Sequence, residues 1–117
     1  MSTRFLVSDD DEDIREFISF VLQRAGHEVT VTGNGADALA CAVADDYDLI
    51  VLDHHMPRMT GLEVAEQLRD VRPEARILLM SGDLDVGREH PHFLPKPFNR
   101  REFIAAVDTL LALSGPA

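Results

Sequence analysis

The sequence predicts an α/β fold, a three-layer doubly wound sandwich built on a five-stranded parallel sheet. Two observations carry this. Short apolar runs alternate with helical patterns along the whole chain, and alternating strands and helices bury a parallel sheet on both faces. Right-handed crossovers then make the doubly wound arrangement the default.

The elements follow in order. Phe5-Leu6-Val7 is the first strand. Ile14, Phe17, Ile18, Val21, Leu22 and Ala25 recur at helical spacing, and Gly26 stops that helix. Glu28 to Thr32 alternates as a half-exposed edge strand, Gly33-Asn34-Gly35 turns, and Ala38, Leu39, Ala42 and Val43 mark a second helix. Leu49 to Leu52 is a continuous buried-strand run. Thr60 with Glu63 is a capping-box signature for a third helix carrying Leu62, Ala65 and Leu68. Ile77 to Met80 is another buried strand and Phe93-Leu94 a short one, closed by Pro95-Lys96-Pro97. Asn99 with Glu102 starts a last helix whose inner face is Phe103, Ile104, Val107, Leu110 and Leu111. Leu84 to Pro91 is weak in apolar residues and predicts either a poor helix or an irregular loop. For five strands the flavodoxin-like order 2-1-3-4-5 is the natural choice.

A chain of 117 residues fits one domain, residues 1–117, with no linker, repeat or second domain. Cys41 is the only cysteine, so no intramolecular disulfide forms, which suits a reducing cytosol. No run approaches transmembrane length, and MSTRFLV lacks a signal-peptide layout. The chain is therefore expected to be soluble and cytoplasmic, with no membrane partner. The formal net charge of -10 would repel a phosphate backbone, so no nucleic-acid contact is expected.

In such a sheet functional groups gather at the carboxyl ends of the strands. The first strand is followed by Asp9 and Asp10, the third by Asp53, the fourth by Ser81 and the fifth by Lys96. Three carboxylates on one rim call for a cation, and a hard, oxygen-ligated divalent ion fits: magnesium, with manganese as the alternative. With the cluster neutralised, one carboxylate can attack a phosphoryl donor, while the ion, a lysine and a hydroxyl stabilise the transferring oxygens. Lys96 is the only lysine beside ten arginines, and a compact ammonium is a good point-charge partner for phosphate.

FLVSDDDEDIREF, DLIVLDHHMPRMTGLEV, ILLMSGD and FLPKPF, in that order and over nearly the whole chain, resemble the receiver domains of two-component response regulators. The resemblance implies that Asp53 is phosphorylated by a histidine kinase or histidine phosphotransfer protein, and that the domain signals rather than turns over a substrate, catalysing only its own phosphorylation and dephosphorylation. It implies that Asp10 binds magnesium directly, Asp9 largely through water, and His55 through its backbone carbonyl. Ser81, the Gly82 amide and Lys96 would hold the phosphoryl oxygens. Phe93 would change rotamer as Ser81 moves inward, the Lys96–Pro97 bond would be cis, and Ile14, Phe17, Pro97 and Phe98 would meet the phosphodonor.

The sequence departs from the family pattern in two places. His54-His55 follows the phosphoacceptor, and Ser81 lies only 15 residues before Lys96, which shortens the segment between them. Successive side chains tend to point apart, so His54 and His55 read as rim histidines rather than a metal pair. His90 and His92 read as a solvated loop, Met56 and Met59 as packing residues, and Cys41 as a small core residue. The Met1-Ser2 start favours a stand-alone protein, although a receiver of a hybrid histidine kinase would look the same. Two other functions compete. A phosphate-independent binding module would lack the acidic pair, Asp53 or Lys96. A DHH-type phosphoesterase would need further metal motifs over a longer chain.

Overall fold

The alternation of apolar side chains along the strands divides the interior into two cores, and the helices distribute themselves accordingly. The computed structural model describes residues 3–113; the Met1-Ser2 start and the Ser114 to Ala117 end lie outside the described residues. The elements are β1 (Arg4–Ser8), α1 (Glu12–Arg24), β2 (Glu28–Thr32), α2 (Gly35–Ala44), β3 (Leu49–Asp53), α3 (Gly61–Val71), β4 (Ile77–Ser81), a 3-10 turn (Val86–Arg88), β5 (Phe93–Pro95) and α4 (Arg100–Ala112). All neighbouring strands pair in parallel, in the order β2-β1-β3-β4-β5. This is the predicted three-layer sandwich.

Phe5, Val7, Leu49, Val51, Leu78 and Met80 point to one face, where Ile18 and Leu22 of α1 and Phe103 and Val107 of α4 cover them. Leu6, Ile50, Leu52 and Leu79 point to the other, beneath Ala38 of α2 and Val64 and Leu68 of α3. The period-2 geometry of a strand produces this split. β3 and β4 are buried throughout, as their continuous apolar runs require, whereas β2 lies at the edge with Val31 47% exposed. Phe17 and Ala25, counted on the apolar stripe of the first helix, are exposed, because that stripe is wider than the contact α1 makes with the sheet.

Local chemistry fixes the helix ends. Thr60–Glu63 and Asn99–Glu102 form complete capping boxes, and Asp11 and Asn34 cap α1 and α2 by accepting from the amides of Asp13 and Asp37. After α1 the chain reverses at Gly26, whose φ of 93° is a left-handed value that glycine adopts at low cost.

Of the two alternatives for the Leu84–Pro91 segment, the irregular one is found. Only Val86–Arg88 is helical, as a single 3-10 turn. Val86 is its one buried residue and plugs the second core.

Candidate functional site

The register of β1 on β3 pairs Ser8 with Leu52, so the next residues, Asp9 and Asp53, leave the sheet side by side. Both are buried, Asp9 completely and Asp53 to 4% exposure, while Asp10 beside them is exposed. Each of the three offers a carboxylate oxygen within 4.8 Å of the others. Among the described residues no other group of His, Cys, Asp or Glu is gathered so closely.

Lys96 reaches this pocket from the end of β5. Its Nζ donates to Asp9 Oδ2 at 2.9 Å and lies 3.1 Å from Asp53 Oδ1. Burial alone would lower the lysine pKa, but its bonds to Asp9 and Asp53 outweigh that and raise it. Asp53 is pushed above its ordinary range, first by burial and then by the Asp9 carboxylate, with Lys96 opposing. Three carboxylates facing one ammonium, two of them buried, leave an excess of negative charge in the pocket. That donor set, all hard oxygens, fits a divalent cation of the magnesium type.

Ser81 closes β4 and is fully buried; its Oγ accepts from the amide of Asp83 at 3.0 Å. Gly82 is exposed, and a Cβ there would meet nothing nearer than the Lys96 carbonyl at 4.0 Å. The Lys96 amide donates to the Ser81 carbonyl at 2.9 Å, tying the two strand ends together. Phe93 opens β5, half-buried, with its ring against Gly87: a Cβ on Gly87 would sit 2.5 Å from Phe93 Cδ2.

The loop after Asp53 is held by two glycines at which a Cβ would press on neighbouring backbone. A Cβ on Gly61 would lie 2.6 Å from the Asp53 carbonyl, and one on Gly35 would lie 1.9 Å from the Met59 carbonyl. Within this loop Arg58 adopts a φ of 72°, a left-handed value for a residue with a Cβ. Met56 is buried, as a packing residue should be, and its Sδ accepts from Ser8 Oγ at 3.1 Å. His54 is half-buried; burial, then His55, hold its pKa low. The exposed ring of His55 meets it edge-on with centroids 4.9 Å apart.

Ile14, Phe17, Pro97 and Phe98 come together at one surface. With Asp13 and Lys96 they line a largely apolar groove of about 380 Å³, and the Lys96–Pro97 bond is cis.

One expectation is corrected. His90 is not solvated: it is partly buried, and a ring nitrogen bonds the Ile77 carbonyl at 2.9 Å. Two contacts at the site were not anticipated. Arg15 donates to the Asp9 carbonyl at 2.7 Å and lies across Gly33, although an arginine on a charged helix face carries no signal that it folds back. The Asp83 amide, bonded to Ser81, is equally silent in sequence.

The response regulator receiver domain family matches residues 5–108 of this chain. The response regulator MprA of Mycobacterium bovis (strain BCG / Pasteur 1173P2) is 37% identical over 125 residues, covering 99% of this chain and 54% of that protein. The DNA-binding transcriptional regulator NtrC of Azospirillum brasilense is 34% identical and covers 95% of this chain but 24% of its own length. The chain thus spans about half the length of the MprA relatives, or less for NtrC. The expected absence of a nucleic-acid partner finds no support among these relatives; the charge argument concerns these 117 residues. Among solved structures, Thermotoga maritima TrrA in complex with Mg(2+)-BeF superposes with a TM-score of 0.85 at 34% identity, covering 92% of this chain and 98% of that one. Vibrio cholerae chemotaxis protein CheY4 superposes with a TM-score of 0.86 at 29% identity, covering 94% of this chain and 99% of that one. No described helix is long and apolar enough to cross a membrane.

Proposed function

The chain belongs to the response regulator receiver domain family, and on that premise we propose that residues 1–117 act as one phosphoacceptor unit in which Asp53 takes a phosphoryl group from a phosphohistidine. The observation that carries this reading is the burial of Asp53 beside Asp9 and Asp10, with the chain's only lysine 3.1 Å away. A carboxylate so placed is a nucleophile already desolvated and aimed at the strand-end rim.

In the transfer, an Asp53 oxygen forms the new O–P bond while the P–N bond to the donor imidazole breaks. Lys96 turns from Asp53 Oδ1 to a phosphoryl oxygen and keeps Asp9 as its anchor. Ser81 Oγ and the Gly82 amide supply the remaining donors. Asp9, Asp10, Asp53 and the His55 carbonyl would hold magnesium, or manganese, which when bound neutralises the acids and the incoming phosphoryl charge. That ion assignment draws support from the magnesium-bearing TrrA complex. The donor, a histidine kinase or phosphotransfer protein, docks in the groove of Ile14, Phe17, Pro97 and Phe98.

The output is a change of shape rather than turnover of a free substrate, and loss of the phosphoryl group to water resets it. Ser81, on turning to the phosphoryl group, releases the Asp83 amide, and Phe93 follows across Gly87. Retention of the acidic pair, Asp53 and Lys96 argues against a phosphate-independent binding module. Incubation with a small-molecule phosphodonor and magnesium tests the reading. We expect an acid-stable, base-labile mass gain of one phosphoryl group, absent in Asp53→Asn. An unchanged mass in the unsubstituted protein would favour the binding module instead.

A further inference from the structure

At the opposite end of β4 from Ser81, a cavity of about 250 Å³ opens beside Ile77, in the space beneath the shortened connection to β5. Its walls carry Arg69, Arg72 and Arg76 from the end of α3 and the turn after it, and His90 and His92 from the segment before β5. None of the described residues that line it is acidic. That is unusual in a chain where acids outnumber arginine and lysine by 21 to 11.

The bases are not equally engaged. Arg72 is turned away, donating to the carbonyls of Ala42 and Val43 and pairing with Asp46. Arg76 gives one Nη to the Leu113 carbonyl at 2.7 Å and has further donors. Arg69 is exposed and enters none of the ion pairs found between described residues. His90 is fixed by its bond to the Ile77 carbonyl, and its ring meets that of His92 edge-on at 6.4 Å. Burial disfavours charge on His90; the bond to the Ile77 carbonyl opposes this, and His92 and Arg69 add smaller disfavouring contributions. Cations brought together without a partner repel one another, and an anion among them relieves that repulsion and uses their free donors.

We propose that this cavity is an oxyanion site, taking a phosphate or phosphate monoester between Arg69, Arg76 and His92, separate from the aspartate pocket. The walls behind the bases are alanine, proline and Ile77, so only the charged end of a ligand is recognised. Arginine suits this role because its planar fork matches phosphate oxygens.

The test is a titration with inorganic phosphate at constant ionic strength, read from the imidazole Cε1–H resonances of His90 and His92. The expected result is a saturable shift of both signals that Asp53→Asn leaves intact. Arg69→Gln removes one exposed contact and should weaken the affinity about threefold. Arg69→Gln with Arg76→Gln should weaken it about tenfold or more. A shift that never saturates, or that chloride reproduces, overturns the proposal. So does unchanged affinity in Arg69→Gln, whose exposed position keeps the result readable even if the double variant folds poorly. Because Asp53→Asn abolishes phosphorylation but not this binding, failure of either reading leaves the other testable.

Discussion

Lys96 Nζ lies 3.1 Å from Asp53 Oδ1, joining the end of β5 to the end of β3 across the intervening β4. The lysine holds the carboxylate that it is proposed to assist. Lys96→Met removes the cation and leaves Asp9 and Asp53 facing each other in a buried pocket. Phosphorylation by a small donor should slow by about 10²–10³-fold, the usual cost of removing one electrostatic contact to a transition state. Single-turnover mass measurements over time check this.

Asp53 should also set the pH dependence of stability without magnesium. Burial and Asp9 raise its pKa in the folded state above the ordinary 3.8. The ionised form therefore costs stability; that cost is fully present above the folded pKa and is relieved as pH falls toward 3.8. Asp53→Asn should be more stable than the parent at pH 7 by roughly 0.5–2 kcal/mol, the range common for relieving a functional site. Urea titrations at several pH values should show the difference shrinking on acidification. A difference that widens would contradict the assignment.

Gly61 and Gly87 should respond differently to alanine. At Gly61 the new Cβ meets the Asp53 carbonyl at 2.6 Å and His54 Cα at 3.0 Å, so the phosphoacceptor itself must shift. At Gly87 it meets the Phe93 ring, with three ring atoms between 2.5 and 2.9 Å. Each change should cost about 1–3 kcal/mol by overpacking. Only Gly61→Ala should also slow phosphorylation, whereas Gly87→Ala should alter the Phe93 ring resonances. Comparing urea midpoints with phosphorylation rates separates the two.

Arg58 holds a left-handed φ of 72° in the loop after Asp53. Arg58→Gly removes the Cβ clash and should raise stability by about 1 kcal/mol. A thermal or urea midpoint checks it.

The strands and their order were legible because continuous apolar runs such as Leu49 to Leu52 and Ile77 to Met80 admit few other readings, and the gathering of Asp9, Asp53, Ser81 and Lys96 on one rim was legible because they stand directly at strand ends. The caps at Thr60 and Asn99 announced themselves by the Glu three residues on. What lay beyond reading was set by tertiary contact. Val86 carries no local signal that it plugs a core, so the segment around it could be read as helix or loop. His90 is fixed by a carbonyl of a distant strand, and Arg15 folds back because the Asp9 carbonyl lies within its reach. None of these depends on spacing along the chain.

The assignment of Asp53 as the phosphorylated residue can be read chemically. Borohydride converts an aspartyl phosphate to homoserine, so trapping after incubation with a small phosphodonor, followed by peptide mass mapping, locates the group directly. We expect homoserine at position 53 alone, dependent on magnesium. An unmodified position 53, or trapping at Asp9 or Asp10 instead, would contradict it.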